Sequence, residues 1–276
     1  MKCIKCIEEV PDHSRYCTFC GHDAGFPNVR AALRSEEVSA LELRVEEAEK
    51  DATSRGCKSI LEEFRKAISQ SSAVISCSLG KINELLSSDN ILFSTFYQAI
   101  GSEARLPENN DWDRIRQAVD SLLFPYYAEN IRFGSLSIDG TGISSYGNYC
   151  IVLREMAIQD RATVFEENSA KFMKNQLIGG SIPYGHRSTW ENRSMLGVAK
   201  LANRLTHLTS STEFSKLIVN DTADPDFIEV HIYGPFNRRA IKHLSANKTV
   251  QKADRVLLRS VSRKLKEIRA TMSIRI

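Results

Sequence analysis

The sequence contains no apolar run of the roughly 18–20 residues that a membrane-spanning helix needs, which argues against a membrane protein. It has no glycine-rich strand–helix fingerprint, so nothing supports a Rossmann cofactor fold. The opening Met-Lys-Cys-Ile-Lys-Cys lacks the apolar segment of a secretory signal. The expectation is therefore a cytoplasmic protein with reduced cysteines and no disulfide framework. Only seven prolines are present and none falls between residues 29 and 70, which leaves room there for uninterrupted helix.

Acidic residues are scarce near the C-terminus. From Asn237 to Ile276 twelve Lys or Arg stand against two acids, a net +10. The whole chain carries +3, so the rest is acidic at −7. That asymmetry suits an anionic partner such as RNA or DNA, although basic surface helices often have none.

Cysteines are concentrated at the other end. Cys3, Cys6, Cys17 and Cys20 form C-x2-C-x10-C-x2-C. Each C-x2-C turns back so that two thiolates reach one ion, and two such turns complete a tetrahedral Zn2+ site. Residues 1–25 read as a zinc ribbon, similar to the short zinc ribbons at the N-termini of many prokaryotic proteins. Four thiolates close the coordination sphere, so the expected role is structural. Cys57, Cys77 and Cys150 are isolated and read as small buried hydrophobes.

Residues 26–128 read as a helical region for positioning or partner binding. Val38, Leu41, Val45, Ala48 and Ala52 repeat at four-three spacing, with Ser35 as a cap. Gly56 breaks that helix, and Ile60, Leu61, Phe64 and Ile68 mark a second. Leu106–Asn110 reads as a loop, Asp111 as the cap of a further helix and Pro125 as its end.

Residues 129–276 change texture. Arg132–Ile138, Tyr149–Leu153 and Arg161–Phe165 read as strands, Gly179-Gly180 opens a loop, and Ser188-Thr-Trp-Glu191 reads as a capping box. In Phe227–Gly234, Ile228, Val230 and Ile232 share one strand face while Glu229, His231 and Tyr233 share the other. That polar row is either the wall of a site or the wet face of an edge strand.

The ordered series Tyr146-Gly147, Val152-Leu153, Arg161-Ala-Thr163, Asn168-Ser169 and Glu229-Val-His-Ile-Tyr-Gly234 resembles ADP-ribosyltransferase-type toxin domains over residues 130–245. The sequence departs from the family in having no clear Ser-Thr-Ser strand and in carrying His231 where relatives more often have Gln or Glu. The resemblance implies an α+β chain whose C-terminal domain is a split β-sandwich that clasps NAD+. It also implies Glu229 as the carboxylate beside the ribose, with His231 orienting the substrate or serving as a base. Arg132, Tyr146, Arg161 and Ser169 become cofactor-binding residues. An ordinary surface arginine, core packing, a salt bridge and a helix cap are the plainer roles for these four.

From Val250 to Arg269, Val250, Ala253, Leu257, Val261, Leu265 and Ile268 form an apolar arc. Lys252, Arg255, Arg259, Arg263, Lys266 and Arg269 lie opposite, with no aromatic among them to stack on bases. Two functions follow. One is an NAD-dependent mono-ADP-ribosyltransferase, a bacterial toxin or phage-defence effector modifying nucleic acid or protein and restrained by an antitoxin-like partner. The other is a non-enzymatic zinc-ribbon adaptor that binds nucleic acid or a protein through the basic helix.

Overall fold

Apolar residues at helical spacing place three helices after the ribbon. These are α1 (Pro27–Ala32), α2 (Ser35–Ser54) and α3 (Lys58–Ser69). Leu41, Val45 and Ala52 of α2 and Leu61, Phe64 and Ile68 of α3 are buried, along the expected stripes. Each of these side chains larger than alanine contributes roughly 1.5–3 kcal/mol by leaving water. Gly56 takes a φ of +70° between the two helices, a conformation that favours glycine. The cap of α2 is Arg34, with Ser35 already helical.

The chain is seen in a computed structural model that describes residues 1–94, 118–176, 182–247 and 250–274. The expected loop at Leu106–Asn110, the cap at Asp111 and the loop opening at Gly179-Gly180 lie outside the described residues.

The region read as helical is not wholly so. Ser72–Cys77 forms strand β1 at the centre of the main sheet, and α4 (Leu79–Leu85) follows it. The later strands are β2 (Ile131–Ser137), β3 (Tyr149–Leu153), β4 (Ala162–Phe165), β5 (Arg187–Thr189), β8 (Glu229–Tyr233), β9 (Ile241–Ala246) and β10 (Thr271–Met272). With β1 they form one eight-stranded sheet in the order β10-β9-β3-β1-β2-β8-β4-β5. All its pairings are antiparallel except β9–β10. A separate ribbon joins β6 (Val219–Asn220) to β7 (Asp226–Phe227). The fold class is thus α+β. In place of the two halves of a split sandwich, the main strands hydrogen-bond into one continuous sheet.

Antiparallel partners put their side chains on the same face, so register assigns each residue to a side. Val230 and Ile232 join Ala162, Val164 and the helix residues Leu61, Phe64 and Leu196 in the main core. Leu196 belongs to α6 (Arg193–Leu201), which follows α5 (Ser169–Gln176) and precedes α7 (Phe214–Ile218). The expected capping box fails. Ser188 and Thr189 pair with β4 as strand, and Asn192 precedes α6. The opposite sheet face meets an aromatic cluster of Phe124, Tyr127, Phe165 and Phe172, with Phe133 packed against it.

The basic helix α8 (Arg255–Glu267) buries Leu258, Val261 and Leu265, while Ala253 is exposed. Lys252, Arg255, Arg259, Arg263, Lys266 and Arg269 are all exposed, and among the described residues none has a carboxylate partner.

Candidate functional site

Residues 1–25 fold into two knuckles, each closed by a single antiparallel bridge, Lys2 with Glu9 and Tyr16 with Asp23. The sulfur atoms of Cys3, Cys6, Cys17 and Cys20 lie within 4.8 Å of one another. Cys3 Sγ is 3.6 Å from Cys20 Sγ, and Cys6 Sγ is 3.6 Å from Cys17 Sγ. Sulfurs bound at about 2.3 Å around a tetrahedral ion stand roughly 3.8 Å apart, so the cluster can hold one metal ion. The Lys5 amide donates to Cys3 Sγ at 3.4 Å, a hydrogen bond that favours the thiolate a metal requires.

The knuckles are docked onto the sheet. Arg30 donates to the carbonyls of Pro11 and Asp12, and the Arg15 guanidinium lies 4.1 Å over the Phe26 ring. Phe26 packs against Tyr233 at 5.5 Å. Buried Asn28 uses its Nδ2 to reach Arg161 O at 3.0 Å, His231 O at 3.3 Å and Thr163 Oγ1 at 3.4 Å. The segment after the cysteine cluster therefore grips β4 and β8 directly.

Strand β8 lies inside the sheet, between β2 and β4, so the wet edge-strand alternative is overturned. Glu229 is 5% exposed and His231 3%. Glu229 Oε2 lies 2.9 Å from His231 Nε2 and accepts the Ser169 amide at 3.0 Å, while Oε1 accepts Asn168 Nδ2 at 3.4 Å. Ser169 opens α5, so the carboxylate sits where the helix leaves its amides unpaired. Three rings enclose the imidazole. Phe124 and Phe133 stand edge-on at 4.8 and 5.3 Å, and Phe165 is stacked at 5.8 Å.

Asn168 Nδ2 also donates to the Tyr146 hydroxyl at 3.2 Å, linking the buried carboxylate to a phenol that is 55% exposed. Tyr146 packs edge-on against Phe227 at 6.1 Å. Gly147 fixes this corner, because a Cβ there would lie 2.5 Å from the backbone of Cys77. Four expected residues, Tyr146, Ser169, Glu229 and His231, thus converge. Asn168 completes the chain of contacts; its place beside Ser169 was visible in the sequence, its bridging role was not.

Two expected residues stand elsewhere. Arg132 pairs with Ile232, whereas Phe133 and Ser135 pair with His231 and Glu229, so Arg132 points to the opposite face. It donates to the carbonyls of Phe93 and Asn130, and burial draws its pKa down to about 10. Arg161 lies beyond the far end of β8, donating to Tyr233 O at 2.7 Å and Pro235 O at 2.9 Å. Neither guanidinium joins the Glu229 cluster. Tyr233, third in the polar row, packs with Phe26 and Tyr127 rather than with His231.

Among the described residues no helix is long and apolar enough to cross a membrane. No protein-family model matches the chain, and no curated protein matches it either.

Proposed function

We propose that the chain is an NAD+-dependent mono-ADP-ribosyltransferase whose working carboxylate is Glu229. The observation carrying this reading is the convergence of Asn168, Ser169 and His231 on that one carboxylate, with Tyr146 joined to it through Asn168. In the reaction the bond between ribose C1′ and the nicotinamide nitrogen breaks, and nicotinamide leaves with the electron pair. Positive charge then develops on the sugar, as in glycosidic cleavage. A fixed carboxylate stabilises that charge best where water is scarce and no cation already neutralises it. An acceptor nucleophile then bonds to C1′ and loses its proton.

Glu229 Oε1, held among the described residues only by the long contact from Asn168, is the oxygen left for the ribose. His231 is a positioning residue, since its Nε2 holds Oε2 and its ring is walled in by phenylalanines. The exposed Tyr146 ring offers a surface for nicotinamide. Arg132 and Arg161 have no part in this site. The cysteine cluster is assigned a structural Zn2+ that stabilises the N-terminal knuckles. A role as a bacterial toxin or phage-defence effector, acting on nucleic acid or protein under the control of an antitoxin-like partner, belongs to the same proposal.

Labelled NAD+ incubated with the protein and cell extract tests the reading. Wild type is expected to transfer label and Glu229→Gln to transfer none above background, at matched thermal stability. Equal labelling by both proteins sinks the enzyme assignment.

The six exposed cations around α8, none with a carboxylate partner among the described residues, favour a second reading, an adaptor that contacts phosphates through this stripe. It predicts RNA or DNA binding that weakens with salt and with Arg255→Glu, Arg259→Glu and Arg263→Glu, without NAD+ consumption. Binding indifferent to both salt and charge reversal removes it.

A further inference from the structure

At the opposite end of β8 from Glu229, a groove of about 350 Å3 runs between the β3–β4 connection and the β8–β9 connection. Arg154, Arg161 and Arg239 line it together with Leu92, Met156 and Phe236. The hydrogen bonding of the first two arginines is unusual. Arg154 donates through Nε to Arg239 O at 3.2 Å and through Nη2 to Ile268 O and Arg269 O at 3.0 and 3.1 Å. Arg161 donates through Nε to Ala157 O at 2.8 Å and through Nη1 to Tyr233 O and Pro235 O. Every acceptor is a neutral carbonyl. Among the described residues neither arginine has a carboxylate partner, and Arg154 Nη1 and Arg161 Nη2 have no acceptor.

Arg239, the third arginine of the groove, is paired with Asp89 at 2.9 Å, and Asp89 is shared with Arg238 at 2.6 Å. Among the described residues no acidic side chain lines the groove. Two pinned guanidiniums therefore face one concavity without a counter-ion. Burial draws the Arg161 pKa down, the mark of a charge held away from water at a cost. Such forks, fixed in advance by backbone carbonyls, suit a tetrahedral oxyanion, and two uncompensated charges match a dianion better than a carboxylate. Leu92, Met156 and Phe236 add apolar wall for an uncharged body, and the volume is within the range of small-molecule sites.

We propose that this groove is a second ligand site, separate from Glu229, which takes a phosphomonoester carried on a small apolar or aromatic group. The proposal does not depend on the transferase reading. Phenyl phosphate, inorganic phosphate and benzoate are the probes, titrated into the full-length protein by calorimetry. Phenyl phosphate is expected to bind with a Kd of about 1 mM or below, inorganic phosphate more weakly and benzoate most weakly.

Met156 is 81% exposed and Leu92 53%, so an acidic side chain at either should leave the fold intact. Met156→Glu and Leu92→Glu are each expected to weaken phenyl phosphate binding by about tenfold or more through like-charge repulsion, and Met156→Gln to leave it unchanged. Glu229→Gln should bind phenyl phosphate as wild type does, so loss of transferase activity and loss of this site are separable. No phenyl phosphate binding at about 10 mM, equal affinity for benzoate, or indifference to both acidic variants overturns the proposal. So does an RNA oligonucleotide whose binding falls with Met156→Glu while phenyl phosphate does not bind, an outcome that assigns the groove to a nucleic-acid strand.

Discussion

Two acid–imidazole pairs lie on the β4–β5–β8 side of the sheet, and they are built differently. Glu166, just after β4, holds His186 Nδ1 at 2.5 Å and takes Arg44 of α2 at 2.7 and 2.9 Å. Glu229 on β8 holds His231 at 2.9 Å, but its remaining donors are an amide and a carboxamide. The Phe165 and Phe172 rings, 4.8 Å apart, stand between them, one stacked on His231 and the other against His186. In the first pair a guanidinium already neutralises the carboxylate, which makes it a strut between α2 and the sheet. In the second, among the described residues, no guanidinium or ammonium pairs with the carboxylate, so a charge developing on a bound sugar would have no arginine or lysine to compete with. The same residue types give a brace in one place and a candidate reactive group in the other.

Metal removal separates the two pairs most strongly. Structural zinc sites in small knuckles are worth about 10–16 kcal/mol, so chelation should unfold residues 1–25. The segment after the knuckles reaches His231 through Asn28, while His186 is held by α2. Hydrogen exchange followed by mass spectrometry is expected to rise first in the knuckles and then along His231–Tyr233. The strand carrying Arg187–Thr189 should lag behind. Uniform exchange over both regions would show that the metal does not discriminate between the pairs.

Removing Arg44 comes next. Arg44→Ala leaves the mostly buried Glu166 carboxylate with only His186, at an expected cost of about 3 kcal/mol in urea denaturation. A loss below about 0.5 kcal/mol would place Arg44 among ordinary surface ion pairs.

The acid side of the stability curve gives a further test. Burial alone pushes the Glu166 carboxyl up, but hydrogen bonds from His186 and Arg44 outweigh it and hold the group at about 2. A carboxyl depressed in the folded state stabilises fully above its ordinary value near 4.5, and that contribution is lost as pH falls toward about 2. Between those limits wild type should lose stability steeply, and Glu166→Gln should show a shallower slope by circular dichroism. Parallel acid transitions would remove Glu166 as their origin.

Asn28→Ala should have the smallest effect, about 1–2 kcal/mol, from lost donation to Thr163 of β4, His231 of β8 and Arg161 just before β4. Thermal denaturation measures the loss. The same substitution should lower any Glu229-dependent activity while leaving the Arg44 coupling unchanged.

Part of this architecture was legible in the residues. The cysteine spacing specifies converging thiolates because metal geometry restricts which spacings work. Strands β2, β3, β4 and β8 were visible from alternation and apolar runs. Strand β1 was not, since Ser72–Cys77 is a short apolar run between two helices and periodicity alone cannot separate it from helix. That strand replaces the all-helical reading of the middle region with a contribution to the sheet centre. Glu229 and His231 could be placed on one face, but their burial depended on β8 having neighbours on both sides. Arg132 was misplaced for a related reason. Face assignment across strands needs the pairing register, and a shift of one residue reverses it. In the basic helix the cationic stripe was read fully, while Leu258 rather than Ala253 enters the core.

The central claim is that Glu229, and not Glu166, is the carboxylate that works on a substrate. Transfer of label from NAD+ by wild type, Glu229→Gln and Glu166→Gln, normalised to folded protein, tests it most directly. Glu229→Gln is expected to lose about a hundred- to a thousandfold, the scale of a lost transition-state electrostatic contact, while Glu166→Gln keeps activity in proportion to its folded fraction. Full activity in Glu229→Gln, or its loss in a folded Glu166→Gln alone, would contradict the account.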